Sequence, residues 1–202
     1  EGATGDDFRT VGGDYYKPTD ADYEANCEEA RALLAEAGYE NGEGFPVVEY
    51  LYNTSDAHKA VAEALQFMWE EELGVKVTLN NQEWAAFLQT RKDGDYSIAR
   101  NGWIADYNDP ISFLDMWMTG GGNNDAQYAN DDYDALIKQA KTTTDNAERM
   151  DLLHQAEDKL IGEDNVLAPL YFYTQKYMLA DGIEGMYYCP LGYFFFGYTH
   201  QA

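Results

Sequence analysis

Between residues 45 and 103 the apolar pattern alternates between the two-residue period of a strand and the 3.6-residue period of a helix, and few architectures accept that alternation. "FPVVEYLYN" (45–53) reads as a strand. Ser55 or Asp56 can cap a helix on which Val61, Ala64, Leu65, Met68 and Leu73 form an apolar stripe, with Gly74 placed to close it. "VKVTLNN" (75–81) puts Val75, Val77 and Leu79 on one face of a second strand. A short helix carrying Trp84, Phe87 and Leu88 follows, and "YSIARNGW" (96–103) reads as a third strand. Strands separated by helices of this length predict an α/β fold: a mixed, largely parallel sheet flanked by helices, with a ligand crevice at the strand ends.

The flanking sequence extends this plan. Residues 1–18, rich in glycine and closed by Pro18, read as an irregular opening segment. Thr19 or Asp20 can then cap a helix with Ala30, Leu33, Leu34 and Ala37 at helical spacing, ended by Gly38 in a left-handed turn. "PISFLDMWMTG" (110–120) predicts a short helix, "GGNNDAQYAN" (121–130) a loop, and 131–141 and 146–162 two more helices. "NVLAPLYFYTQKYMLA" (165–180) reads as a strand pair or one long bent strand. The expected organisation is an α/β lobe over 19–180 and an aromatic tail over 181–202 that needs cover, from its own domain or from polypeptide outside these residues.

Charge narrows the partners. With 13 Lys and Arg against 37 Asp and Glu, the net charge is −24, and no basic patch is available to track a nucleic-acid backbone. The two cysteines, Cys27 and Cys189, and the three histidines, His58, His154 and His200, are scattered without metal or redox spacing, and two free thiols are as compatible with the sequence as one disulfide. No cofactor is expected. No run approaches the roughly 18 apolar residues of a spanning helix, and no charged-then-apolar leader opens the chain.

Chemistry concentrates in "ARNGWIADYNDP" (99–110). Asp106 has three readings: a solvated turn residue, an acid paired with Asp109 or Asp115 for glycoside hydrolysis, or an anchor for a cation. Nothing in the sequence orients an acid pair, and Asp109 before Pro110 is explained as a helix cap. "DYNDP" also lacks the alternating ligands and closing glutamate of a calcium loop. Trp84 and Trp103, each alone, are core candidates. With Arg91, Arg100 and Asp106 they compose a site for a zwitterionic chain: indole faces as apolar walls, a carboxylate for an amine, guanidinium forks for a carboxylate.

Three stretches carry a family resemblance: "ARALLAEAGY" (30–39), "YNTSDAHKAVAEALQFMWEEELGVKVTLNNQEWAAFLQTR" (52–91) and "ARNGWIADYNDPISFLDMW" (99–117). Over about residues 21–180 the sequence resembles the C-terminal part of oligopeptide-binding proteins, the extracytoplasmic receptors of ABC-type peptide importers. The resemblance implies one lobe of a type II periplasmic-binding-protein fold, with a first lobe of the same protein lying outside these residues and the tail returning toward it. It implies that Asp106 takes a peptide's α-amino group, that Trp103 and Trp84 line side-chain pockets, and that Arg91 and Arg100 meet the C-terminal carboxylate of peptides of particular length. Ile104 stands where some relatives hold a disulfide cysteine, so the resemblance lends no support to a Cys27–Cys189 bridge. The implied partners are short peptides, the other lobe and an ABC membrane permease, and the implied location is outside the cytoplasmic membrane, in a periplasm or held by a lipid. Relatives that take dipeptides, nickel complexes, haem or oligosaccharides widen the range of ligands, and a surface adhesion or signalling module on the same fold is a third reading beside receptor and hydrolase.

Overall fold

The computed structural model describes residues 22–189 and 191–202. The expected opening segment 1–18 and the helix caps at Thr19 and Asp20 lie outside the described residues. The described residues form two compact units. One, the sheet unit, takes in 22–102 and 117–130; the other, the helical unit, takes in 103–116, 131–189 and 191–202.

The sheet unit is built on the predicted alternation. Helix α1 (Tyr23–Glu36) is followed by a 3₁₀ turn at Glu40–Gly42, strand β1 (Val48–Asn53), helix α2 (Asp56–Leu73), strand β2 (Val77–Gln82), helix α3 (Trp84–Asp93) and strand β3 (Ile98–Ala99). The sheet order is β2-β1-β3 and both pairings are parallel, with Val48 opposite Val77 and Asn53 opposite Gln82. β1 is central, and its last four residues, Tyr50 to Asn53, are all buried. Burial of successive residues means that both faces are covered, as helical crossovers require. Tyr50 and Tyr52 pack with Ala62, Val75 and Val77 in a core that Leu34, Leu65, Trp69 and Leu73 complete. Phe87 of α3 is fully buried.

Three helices end where a glycine can take a left-handed backbone: Gly38 (φ 91°) after α1, Gly74 (φ 67°) after α2 and Gly94 (φ 72°) after α3. The predicted stripes are less accurate than the ends. On α1, Leu33 is 59% exposed and Cys27 is the buried residue. On α2, Met68 and Ala64 are exposed, whereas Ala62, Leu65, Trp69 and Leu73 face the core. The buried stripe includes the indole of Trp69 and leaves out the neighbouring thioether.

The third strand is much shorter than the sequence suggests. Of 96–103, only Ile98 and Ala99 pair, opposite Tyr50 and Leu51, with the Arg100 amide adding one bond to the Leu51 carbonyl at 2.8 Å. β1 runs on to Asn53, so the short pairing comes from the chain after Arg100 leaving the sheet and not from the length of its neighbour.

In the helical unit, α4 (Ile111–Leu114) leads into a 3₁₀ turn at Asp115–Trp117, whose last residue belongs to the sheet unit. Helices α5 (Asp131–Thr142) and α6 (Asn146–Glu157) pack against each other, and α6 widens into a π turn at Asp158–Glu163. Tyr133, Ile137 and Ala140 of α5 are buried at helical spacing, as are Leu152, Leu153 and Ala156 of α6. The buried Tyr133 hydroxyl donates to the Leu114 carbonyl at 2.6 Å, which ties α5 to α4.

The tail forms two short antiparallel pairs: β5 (Tyr187–Cys189) with β6 (Tyr193–Phe195), inside β4 (Ile183–Glu184) with β7 (His200–Gln201). The strand expected over 165–180 is absent. Those residues carry no helix or strand, and 168–180 are exposed throughout. Their β-forming composition finds no ladder partner among the described residues, and a strand needs a partner to form. Cys27 and Cys189 are both free thiols.

Candidate functional site

The five residues singled out by sequence fall into two sets. Trp84, Arg91 and Arg100 belong to the sheet unit, and Trp103 and Asp106 to the helical unit.

In the sheet unit the C-terminal ends of β1 and β2 are fastened side by side. The Thr54 amide continues the ladder to the Gln82 carbonyl at 2.9 Å, and its hydroxyl lies 3.1–3.2 Å from Asn81 Oδ1, the Gln82 carbonyl and Glu83 Oε1. Glu83, extended at ψ 151°, turns the chain into α3, so Trp84 opens that helix just past the strand end. Trp84 is 53% exposed, and Phe87 three residues on takes the core position instead. The two rings stack at 5.8 Å and 28°, one helical turn apart.

Arg100 follows β3. Its Nη1 donates to Oδ1 of the buried Asn53 at 3.4 Å. The Asn53 carbonyl lies 3.4 Å from His58 Nδ1, at the first turn of α2. Burial, and then the Arg100 charge, push the His58 imidazole below its ordinary pKa, so the ring next to the guanidinium favours its neutral form. Arg91, on the last turn of α3, pairs with Asp125 at 2.7 Å and lies over the Phe87 ring. Asn53, His58 and Asp125 were not singled out from sequence. Asn53 and His58 stand at a strand end and a helix start, which is a readable signal for a crevice lining; the Asp125 pairing spans 34 residues and has no local signature.

In the helical unit Asp106 lies on an irregular turn and its side chain is exposed. Its backbone amide donates to Ser112 Oγ at 2.9 Å. The turn is held from the other end by Asp109. Its Oδ1 accepts the Ile111 amide at 2.9 Å, and both carboxylate oxygens accept from Arg149 at 2.8 Å. Among the described residues no cation pairs with Asp106, whereas Asp109 is held by Arg149 and Asp115 by Lys141 at 3.1 Å. Trp103 is half-buried, and its buried Nε1 finds no hydrogen-bond acceptor among the described residues.

A hollow of about 210 Å³ opens in the sheet unit among Thr119, Gly120, Gly121, Asn124, Gln127 and Tyr128, and none of the five residues lines it. Asn124 organises that loop: its carboxamide bonds the carbonyls of Trp117, Met118 and Tyr128 and the amide of Tyr128. Among the described residues no group of three or more His, Cys, Asp and Glu side chains is gathered as a metal would require.

The sequence model of bacterial extracellular solute-binding proteins, family 5 Middle, matches residues 3–125. The chain belongs to this family. The family 5 chain is 40% identical to the dipeptide-binding protein DppE of Bacillus subtilis over 191 residues, 94% of its own length and 34% of that protein's. The unliganded open form of the periplasmic murein tripeptide-binding protein MppA superposes with a TM-score of 0.74 at 32% identity, over 87% of this chain and 34% of that one. Haemophilus influenzae OppA, solved in complex with the peptide RPPGFSPFR, gives a TM-score of 0.64 at 38% identity, over 69% of this chain and 27% of that one. The family 5 chain thus spans about a third of the length of the curated relatives it matches. Those relatives are binding proteins by name, and the α/β architecture with its parallel sheet is the one they share.

Proposed function

We propose that this chain is one lobe of an extracytoplasmic receptor that binds short peptides and hands them to the membrane permease of an ABC importer. Asp106 carries the reading: an exposed carboxylate that no cation among the described residues takes, on a turn fixed by Ser112 and by the Asp109–Arg149 pair. Its role is to hold the peptide's α-ammonium group. At 4 Å an amine and a carboxylate attract by about 4 kcal/mol at an effective dielectric near 20, and desolvation takes back part of this unless water is excluded. Closure of a second lobe would exclude it.

The other residues, each taken within its own unit, carry chemistry that suits a peptide. The exposed Trp84 face and the half-buried Trp103 ring are each apolar walls without shape preference. In the sheet unit, Arg100 supplies a guanidinium suited to a peptide carboxylate. The acid-pair alternative loses its partners: Asp109 is already bound by Arg149, which together with the Ile111 amide holds its carboxyl below the ordinary range, the reverse of what a proton donor needs.

The test is Asp106→Asn in the receptor that carries this lobe with its partner lobe, titrated by calorimetry with free-amine peptides and their N-acetylated forms. The expected result is a loss of roughly ten- to a hundredfold for free-amine peptides and little change for acetylated ones. Equal affinities of parent and variant for free-amine peptides would sink the assignment.

A further inference from the structure

Arg91 spends its hydrogen bonds inward. Nε donates to Asp125 Oδ2 at 2.7 Å, with the two side chains only 14% and 13% exposed. Nη1 donates to Asn101 Oδ1 at 3.0 Å and lies 3.5 Å from the Arg100 carbonyl. The guanidinium sits 5.1 Å from the Phe87 ring centroid, and Phe87 carries the exposed Trp84 stacked on it. Each partner is itself tied down. Asn101 Oδ1 also accepts the Gly102 amide at 2.7 Å, and the Asp125 carbonyl accepts from the Tyr96 hydroxyl at 2.9 Å. One cation therefore joins three pieces of the sheet unit: the loop at Asp125, the turn at Arg100–Gly102 and the first turn of α3.

We propose that Arg91 is a positioning residue of the peptide site: through its pair with Asp125 it fixes the Arg100–Gly102 turn and braces Trp84 from beneath, without itself meeting the ligand. The proposal rests on the peptide-receptor reading and assigns parts within it. Three properties of the side chain support it. A fork is needed to serve Asp125 and Asn101 at once, and arginine has one where lysine has a point charge. A planar cation is needed to lie on Phe87. And a carboxylate as buried as Asp125 needs a close cation, since a desolvated charge left alone is costly. Among the described residues Nη2 alone is left without a partner, whereas a ligand-clamping arginine keeps its whole fork for the ligand.

The experiment compares Arg91→Lys and Asp125→Asn with the unsubstituted chain. Amide resonances of Asn101 and Gly102 and the indole N–H of Trp84 are followed by NMR, with thermal melts to confirm folding. The expected result is that both substitutions move the same three resonances, the effect on Trp84 passing through Phe87; Asp125→Glu, which keeps the ion pair, leaves them near their original positions. A substitution that only loosened the fold would lower Tm and leave those resonances in place. If Asp125→Asn leaves the three resonances unmoved, Arg91 is not acting through Asp125 and the proposal is overturned.

A second arm measures binding in the two-lobed receptor with peptides ending in a free carboxylate or an amide. A positioning role predicts that Arg91→Lys weakens both forms by the same factor, about tenfold. A loss confined to free-acid peptides would place Arg91 against the ligand and overturn the proposal. Absence of peptide binding by the unsubstituted receptor would overturn the functional reading instead, and the resonance comparison would then decide the role of Arg91 alone.

Discussion

Asp109 serves two partners with one carboxylate, the Ile111 amide at 2.9 Å and the Arg149 guanidinium at 2.8 Å through both oxygens. Burial by itself would raise its pKa, but the Arg149 hydrogen bonds, the Ile111 amide and the guanidinium charge together outweigh burial and lower it. The folded protein thus binds the proton at Asp109 less readily than the unfolded chain does. The resulting stability is fully present above the ordinary carboxylate range, near pH 4, and is lost as the pH falls through the lowered folded value. Arg149→Ala is expected to cost about 1.5–3 kcal/mol at neutral pH, and the difference from the parent should shrink in strong acid, where Asp109 is protonated in both. Urea unfolding at the two pH values reads this; a pH-independent difference would mean that the pair is not its source. The cap half of this arrangement was legible, because Asp-Pro at a helix start is a local pattern. The Arg149 half was not, since a pairing across 40 residues leaves no trace in periodicity. Trp84 and Trp103 show the same limit. Sequence marks both indoles as costly to waste, and only packing shows that Trp84 is exposed and that Phe87 fills the core.

Elements were most legible where backbone chemistry decides them. Gly74 illustrates why: it closes α2 at φ 67°, and a Cβ there would run into the carbonyl of Asn41, while a Cβ on Gly42 would meet the Gly74 carbonyl in return. The two glycines let the α2 end and the 3₁₀ turn approach backbone to backbone. Gly74→Ala should therefore cost more than the ~1 kcal/mol of a left-handed alanine, seen as a lower urea midpoint with an unchanged slope; a midpoint within error of the parent would refute the close approach. Strands were legible only where both partners are present. β1 and β2 pair over six residues each, as their patterns suggest. The 96–103 and 165–180 segments also have strand-forming composition, yet one pairs over two residues and the other carries no strand among the described residues. A strand is a property of two segments, and a single-segment pattern states only half of it.

At the scale of the molecule, charge and apolar surface are unevenly shared. The whole chain has a net charge of −24, but residues 165–202 contain only Lys176, Asp181 and Glu184 as charged side chains. The same stretch exposes Phe172, Met178, Tyr193, Phe196 and Tyr198, from 62% to 96% each. Such a surface should bring copies of this chain together as concentration rises, and little weakened by salt because few charges are involved. Light scattering across a concentration series reads this, and a strict monomer throughout would contradict it. The tail's own rings meet each other, with Tyr187 on Phe195 at 4.6 Å and Tyr177 against Phe194 at 5.3 Å, but they leave most of its outer surface wet. The β1–β2 ladder has a different consequence, in time instead of energy. Its partners all lie within residues 48–82, so the loop that must close to form it is short and entropically cheap. During synthesis the ladder and its crossover helix leave the ribosome well before the aromatic tail, and the strand ends at Asn53 and Gln82 can be in register while the later half of the chain is still being made.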